Sequence, residues 1–106
     1  MGLFGFLKLP DINQGIQEFQ ASEHAVLLDV RDTQEYSSGH IPGAVNLPRD
    51  EIEKAGELIP DPETEIYTYC YSGRRSDLAA IALKRMGYRH VRNIGGIASY
   101  HGPIEK

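Results

Sequence analysis

Four short runs of strand-forming residues recur along this chain, at 25–30, 44–47, 65–69 and 90–94, with helical or turn segments between them. That alternation leaves few folds open. Strands that alternate with helices pair in parallel through crossover connections, so the expectation is an α/β domain with a mostly parallel sheet. Ala25-Val26-Leu27-Leu28-Asp29-Val30 is almost wholly apolar, as suits a strand covered on both faces. In such a sheet the working residues belong at the carboxyl ends of the strands.

Local signals place the remaining elements. Asp11 is suited to cap a helix over 12–20, where Ile12, Ile16 and Phe19 share one face. Gly15 weakens that helix by roughly 1 kcal/mol relative to alanine. The polar stretch 31–39 has room for one helical turn around Gln34, Glu35 and Tyr36, and His40-Ile41-Pro42-Gly43 is turn chemistry. Pro48 and Asp50 introduce a helix over 51–58 that Pro60-Asp61-Pro62 stops. A helix over 76–86 ends at Gly87 as a C-cap. Gly95-Gly96 is expected to break the chain before a last short helix over 97–100.

With 106 residues there is room for one domain, 1–106, around one core. Residues 1–10 open on the apolar run Met1-Gly2-Leu3-Phe4-Gly5-Phe6-Leu7, too short to span a membrane and without a basic start or a small-residue cleavage site. This segment reads as a strand or flap packed on the core, and no membrane partner is expected. A net charge of −4 argues against a nucleic-acid partner, which wants a basic face. The four histidines lack metal-ligand spacing, so neither metal nor cofactor is expected. One cysteine excludes an intrachain disulfide, and the default compartment is the cytoplasm.

That single cysteine, Cys70, stands between the run 65–69 and the helix, at the head of Cys70-Tyr71-Ser72-Gly73-Arg74-Arg75-Ser76. Backbone N–H groups at a helix start, the helix dipole and two arginines all favour an anion there. Those conditions turn a thiol into a thiolate near neutral pH. The dipole alone supplies about one pKa unit, so a larger shift needs the loop's N–H groups curled into a nest, which Gly73 permits. The residues thus describe a nucleophile working on small anionic substrates.

Taken together, Leu28-Asp29-Val30-Arg31, Glu35-Tyr36, Gly39-His40-Ile41-Pro42-Gly43-Ala44 and Asn46-Leu47-Pro48 resemble the first signature of rhodanese-domain sulfurtransferases. The loop from Cys70 to Ser76 is similar to their active-site pattern C-x-x-G-x-R-S, and Gly95-Gly96-Ile97 to their closing turn. The three occur in the family's order, although Ser99-Tyr100 stands where a tryptophan often follows that turn. The resemblance implies a rhodanese-like three-layer fold, a central mostly parallel sheet flanked by helices. It also implies that Cys70 takes a sulfane sulfur from thiosulfate or a related donor, holds it as a persulfide, and passes it to cyanide or a thiol. Tyr71, Ser72, Gly73, Arg74 and Arg75 would then line the substrate, with Asp29, Arg31, Glu35 and Ser76 as structural support.

Several roles stay open at the level of sequence. Arg75 serves either a salt bridge to Asp29 or Glu35 or contact with the donor, and the two can coexist. Arg74 is the freer arginine and the better match to an anionic donor. Ser72 and Ser76 are candidates to donate to sulfur, Ser76 alternatively to cap the helix. Asp29 and Arg31 read as a buried polar brace, and His40 as part of a turn. A phosphatase or arsenate-reductase loop needs five residues between cysteine and arginine, whereas four separate Cys70 from Arg75. A sulfur carrier or docking module whose acceptor is a partner protein's thiol shares every one of these features.

Overall fold

A computed structural model describes residues 10–106. The expected N-terminal strand or flap falls on residues 1–9, outside the described residues, apart from Pro10. Four strands form one sheet: β1 (Val26–Asp29), β2 (Ala44–Asn46), β3 (Glu65–Cys70) and β4 (His90–Gly96). Their order is β2-β1-β3-β4 and every pairing is parallel. The chain moves outward from β1 to β2, then returns past β1 to lay down β3 and β4. The carboxyl ends of β1 and β3 therefore adjoin at the point where strand order reverses, where open α/β sheets hold their sites.

Helices cover both faces, which gives the three layers. α1 (Ile12–Ala21) lies on one face, where Ile12, Ile16, Leu27, Ile41, Tyr67, Tyr69 and Ile94 are buried together. α3 (Ala55–Leu58) and α4 (Arg74–Arg85) lie on the other, where Ala79, Ala80 and Leu83 of α4 are buried with Leu28, Val30, Ile66 and Cys70. Side chains alternate across a strand, so in β3 Tyr67 and Tyr69 point to α1 while Ile66 and Cys70 point to α4. Strand parity alone puts the thiol under the start of α4.

Four local expectations need correction. The stretch after β1 holds a full helix, α2 (Thr33–Ser38), because Asp32 and Glu35 close a capping box. The helix expected over 51–58 is a 3-10 segment, Arg49–Lys54, followed by the single turn of α3. Gly95-Gly96 does not break the strand: β4 continues to Gly96 through a bulge, with Thr68 opposite Asn93 and Tyr69 opposite Gly95. Gly15 weakens nothing in place, since a Cβ there would stand 2.5 Å from the Ile94 Cβ. It is the close-approach point of α1 on the sheet. No helix among the described residues is long and apolar enough to cross a membrane.

Candidate active site

β3 ends at Cys70, and α4 begins at Arg74, two residues earlier than the sequence pattern suggests. Only three residues make the turn, and the N-cap position falls on Gly73, in the left-handed region with φ 98° and ψ −5°. Glycine has no side chain to satisfy the helix's first N–H groups. The Cys70 sulfur does so instead. Sγ accepts the Gly73 N–H at 3.0 Å and the Ser76 N–H at 3.4 Å, with the Ser76 hydroxyl also at 3.4 Å. Ser76 is thus the third residue of the helix and not its cap.

Burial raises the Cys70 pKa, since the residue is fully enclosed. Hydrogen bonds from the Ser76 hydroxyl and N–H, the Gly73 N–H and the Ser72 N–H act the other way and outweigh it, so the pKa is lowered. The nest of N–H groups shapes this site more than any arginine does. Its floor is Gly96, where a Cβ would fall 2.2 Å from the Tyr71 carbonyl oxygen. The Ala98 N–H donates to that same carbonyl at 3.1 Å and ties the loop to the turn after β4.

The two arginines part company. Arg75 reaches across to α2 and makes a two-pronged pair with Glu35, Nη1 to Oε1 at 2.8 Å and Nη2 to Oε2 at 3.0 Å. Glu35, and not Asp29, is its carboxylate. That guanidinium is the main reason the Glu35 carboxyl is held down at about 2. Arg74 is exposed and makes no ion pair among the described residues. Tyr71 and Ser72 are exposed beside it.

Asp29 is fully buried and takes the Arg31 backbone N–H at 3.0 Å, the Arg31 Nη2 at 2.7 Å and the Tyr69 hydroxyl at 2.7 Å. Arg31 also donates to the Gly39 carbonyl at 2.7 Å, and the Ile41 N–H donates to the Tyr69 hydroxyl oxygen. This brace holds the 39–41 turn and makes none of these bonds to residues 71–75. His40 stacks on Tyr36 at 3.8 Å and contacts the Tyr36 carbonyl, remote from the thiol's partners. A cleft of about 630 Å³ runs along the outer side of the loop, lined by Ser72, Gly73, Arg74, Asp77, Asn93 and Asp11 among others. Cys70 is not part of that lining and is fully buried.

Asn93 escapes the sequence reading. Its Nδ2 donates to the Gly73 carbonyl at 3.2 Å, and its Oδ1 accepts the Ser76 hydroxyl at 2.7 Å. The available signal was an asparagine two residues before a glycine, at a strand end facing the loop.

A parallel α/β domain with a cysteine at a strand end, capping the next helix within a nest of N–H groups, is built to stabilise an anionic sulfur. The family model of the rhodanese-like domain matches residues 12–102, and the chain belongs to that sulfurtransferase family. It is 42% identical over 90 residues to the putative sulfur carrier protein YrkF of Bacillus subtilis (strain 168), covering 84% of this chain and 48% of YrkF. It therefore spans about half of that relative's length. It is 40% identical over 87 residues to the thiosulfate sulfurtransferase PspE of Escherichia coli (strain K12), covering 81% of this chain and 82% of PspE. Among solved structures, a rhodanese with anions from E. coli superposes with a TM-score of 0.72 at 36% identity, over 77% of this chain and 98% of that one.

Proposed function

We propose that this chain is a thiosulfate sulfurtransferase that works through a Cys70 persulfide. The observation that carries the reading is the Cys70 sulfur acting as N-terminal cap of α4, with N–H donors on it and a lowered pKa. The thiolate attacks the outer sulfur of thiosulfate, the S–S bond of the donor breaks, and sulfite leaves with the bonding pair. The persulfide then carries its negative charge on the outer sulfur, facing the same N–H groups. An acceptor thiolate or cyanide attacks that sulfur, and Cys70 departs again as thiolate. No redox partner is needed, because the acceptor takes the sulfane sulfur at its own oxidation level. Arg74, exposed at the cleft, is the group that meets the donor's charge, while Tyr71 and Ser72 flank the approach. Because Cys70 is fully buried, the loop around it shifts as the donor enters. A reducing compartment such as the cytoplasm suits a lone working thiol.

The physiological acceptor in this reading is a thiol, carried by a small molecule or by a protein. YrkF, the relative named as a putative sulfur carrier, supports the protein alternative, as do Tyr71, Leu78 and Ile81, exposed at the loop and along α4. The short loop favours sulfur over the four oxygens of a phosphate. Mass spectrometry tests the reading. Thiosulfate is expected to add one sulfur atom to the protein and cyanide to remove it as thiocyanate, with both steps absent in Cys70→Ser. Wild-type thiocyanate formation by Cys70→Ser would refute it.

A further inference from the structure

The bulge in β4 lies beside the site. Ile94 is the extra residue, lying between the pair Thr68–Asn93 and the pair Tyr69–Gly95. Asn93 lies on the α4 face by ordinary alternation with Val91 and Ile94, and the bulge after it accompanies the Gly95 N–H donating to the Asn93 Oδ1. The Asn93 amide has only one orientation that fits: Nδ2 faces the Gly73 carbonyl at 3.2 Å, while Oδ1 faces the Gly95 N–H at 3.2 Å. A flipped amide would set oxygen against carbonyl and NH₂ against N–H. The Ser76 hydroxyl, which carries a single proton, lies 2.7 Å from Asn93 Oδ1, 3.4 Å from Cys70 Sγ and 3.5 Å from the Gly95 carbonyl oxygen.

We propose that Asn93 is a positioning residue: it pins the carbonyl of Gly73, the residue whose own N–H faces the sulfur, and it competes with the sulfur for the one Ser76 hydroxyl proton. The inference rests on Cys70 being the sulfur-carrying thiol. While the sulfur is a neutral thiol the proton lies on Oδ1, the shorter contact. A negative sulfur draws it away, because hydrogen bonds to ions are the stronger ones. The hydroxyl is then a reserve donor, released against the pull of Asn93 when charge appears on sulfur. The charged group on α4 that acts on the sulfur is Arg75, itself held by Glu35 of α2, with Arg74 and Asp77 flanking the first turn. β4 meets the network with the neutral Asn93 amide.

The test reads the free thiol, by its rate of alkylation with iodoacetamide from pH 5 to 10, in a cycle of Ser76→Ala and Asn93→Ala. Competition predicts that Ser76→Ala slows alkylation at pH 7 by less than about twofold in the native background and by about fivefold in the Asn93→Ala background. Equal effects in both backgrounds, or a smaller one without Asn93, overturn the competition. Asn93→Asp keeps both acceptor contacts but loses the donor to Gly73 and adds charge, so alkylation is expected to slow; an unchanged profile overturns the pinning. A variant that merely loosened the fold would lower the melting temperature without this dependence on Ser76. If Asn93→Ala does not fold, the strand-favouring Asn93→Val carries the same cycle. Alkylation uses no sulfur donor, so a failed cycle leaves the sulfurtransferase reading standing, and loss of thiosulfate loading in the native protein would sink that reading separately.

Discussion

Arg75 commits both arms of its guanidinium to Glu35, whereas Arg74, one residue earlier, meets no carboxylate among the described residues. The division of labour follows from the helix. Successive residues point about 100° apart, so one side chain turns toward α2 and the other toward solvent. Arg75 and Glu35 are each about one-third exposed, which limits their pair to about 1 kcal/mol. Arg75→Ala is therefore expected to lower stability by that amount at pH 7. The Glu35 carboxyl is held at about 2 against its ordinary 4.5, so its contribution is complete above the unfolded value and is lost as pH falls through about 2. Melts of wild type and Arg75→Ala should differ fully at pH 6 and converge toward pH 2; a gap constant over that range would show that the pair is not its source. Arg74→Ala should keep the native melting temperature and raise the KM for thiosulfate severalfold, roughly the worth of one exposed charge. Steady-state kinetics decide the matter, and the reverse pattern in the two variants would end the division.

Among the elements, glycines mark where backbones must touch, and equal substitutions should carry opposite signs. In α1, Gly15→Ala would drive a methyl to within 2.5 Å of the Ile94 Cβ, separating helix from sheet at a cost of about 1–3 kcal/mol. In α3, a methyl on Gly56 would meet nothing within 4 Å, and the residue lies in a helical turn. Gly56→Ala should therefore stabilise by about 0.5–1 kcal/mol. Denaturant titrations of the two variants provide the check, and a loss at both positions would mean that α3 is not the open turn described. The contrast also shows where sequence reading stops. Helix propensity treats both glycines alike, and only the position of Ile94, 79 positions along the chain from Gly15, separates them. The double glycine after Ile94 carries the same lesson. It looks like a strand breaker, yet β4 runs on to Gly96 opposite Cys70, and glycine is required there because a side chain would collide with the Tyr71 carbonyl.

At the scale of the whole molecule, chain order and spatial order diverge. Asp29 and Tyr69 are 40 residues apart but share a 2.7 Å hydrogen bond, because the return past β1 sets β3 beside it. The far end joins the same web, where His40 and Glu105 exchange backbone hydrogen bonds of 2.8 Å in an antiparallel bridge. Removing residues 103–106 is expected to cost about 1–3 kcal/mol for these two bonds and to speed hydrogen exchange at the His40 amide by more than at Cys70 in the central strand, which exchanges only through global unfolding. Unaltered exchange at His40 would show that the bridge carries no load. The sequence by itself determined the strand and helix alternation, the parallel α/β class and the cysteine loop, since these depend on composition and spacing within a few neighbouring residues. Tertiary structure decided that Glu35 and not Asp29 meets Arg75, that α4 starts at Arg74, and that Asn93 reaches Ser76 and Gly73. The two side-chain outcomes depend on contacts across 17 to 40 positions that local pattern does not record, and the helix start depends on a sulfur that takes the place of a capping side chain.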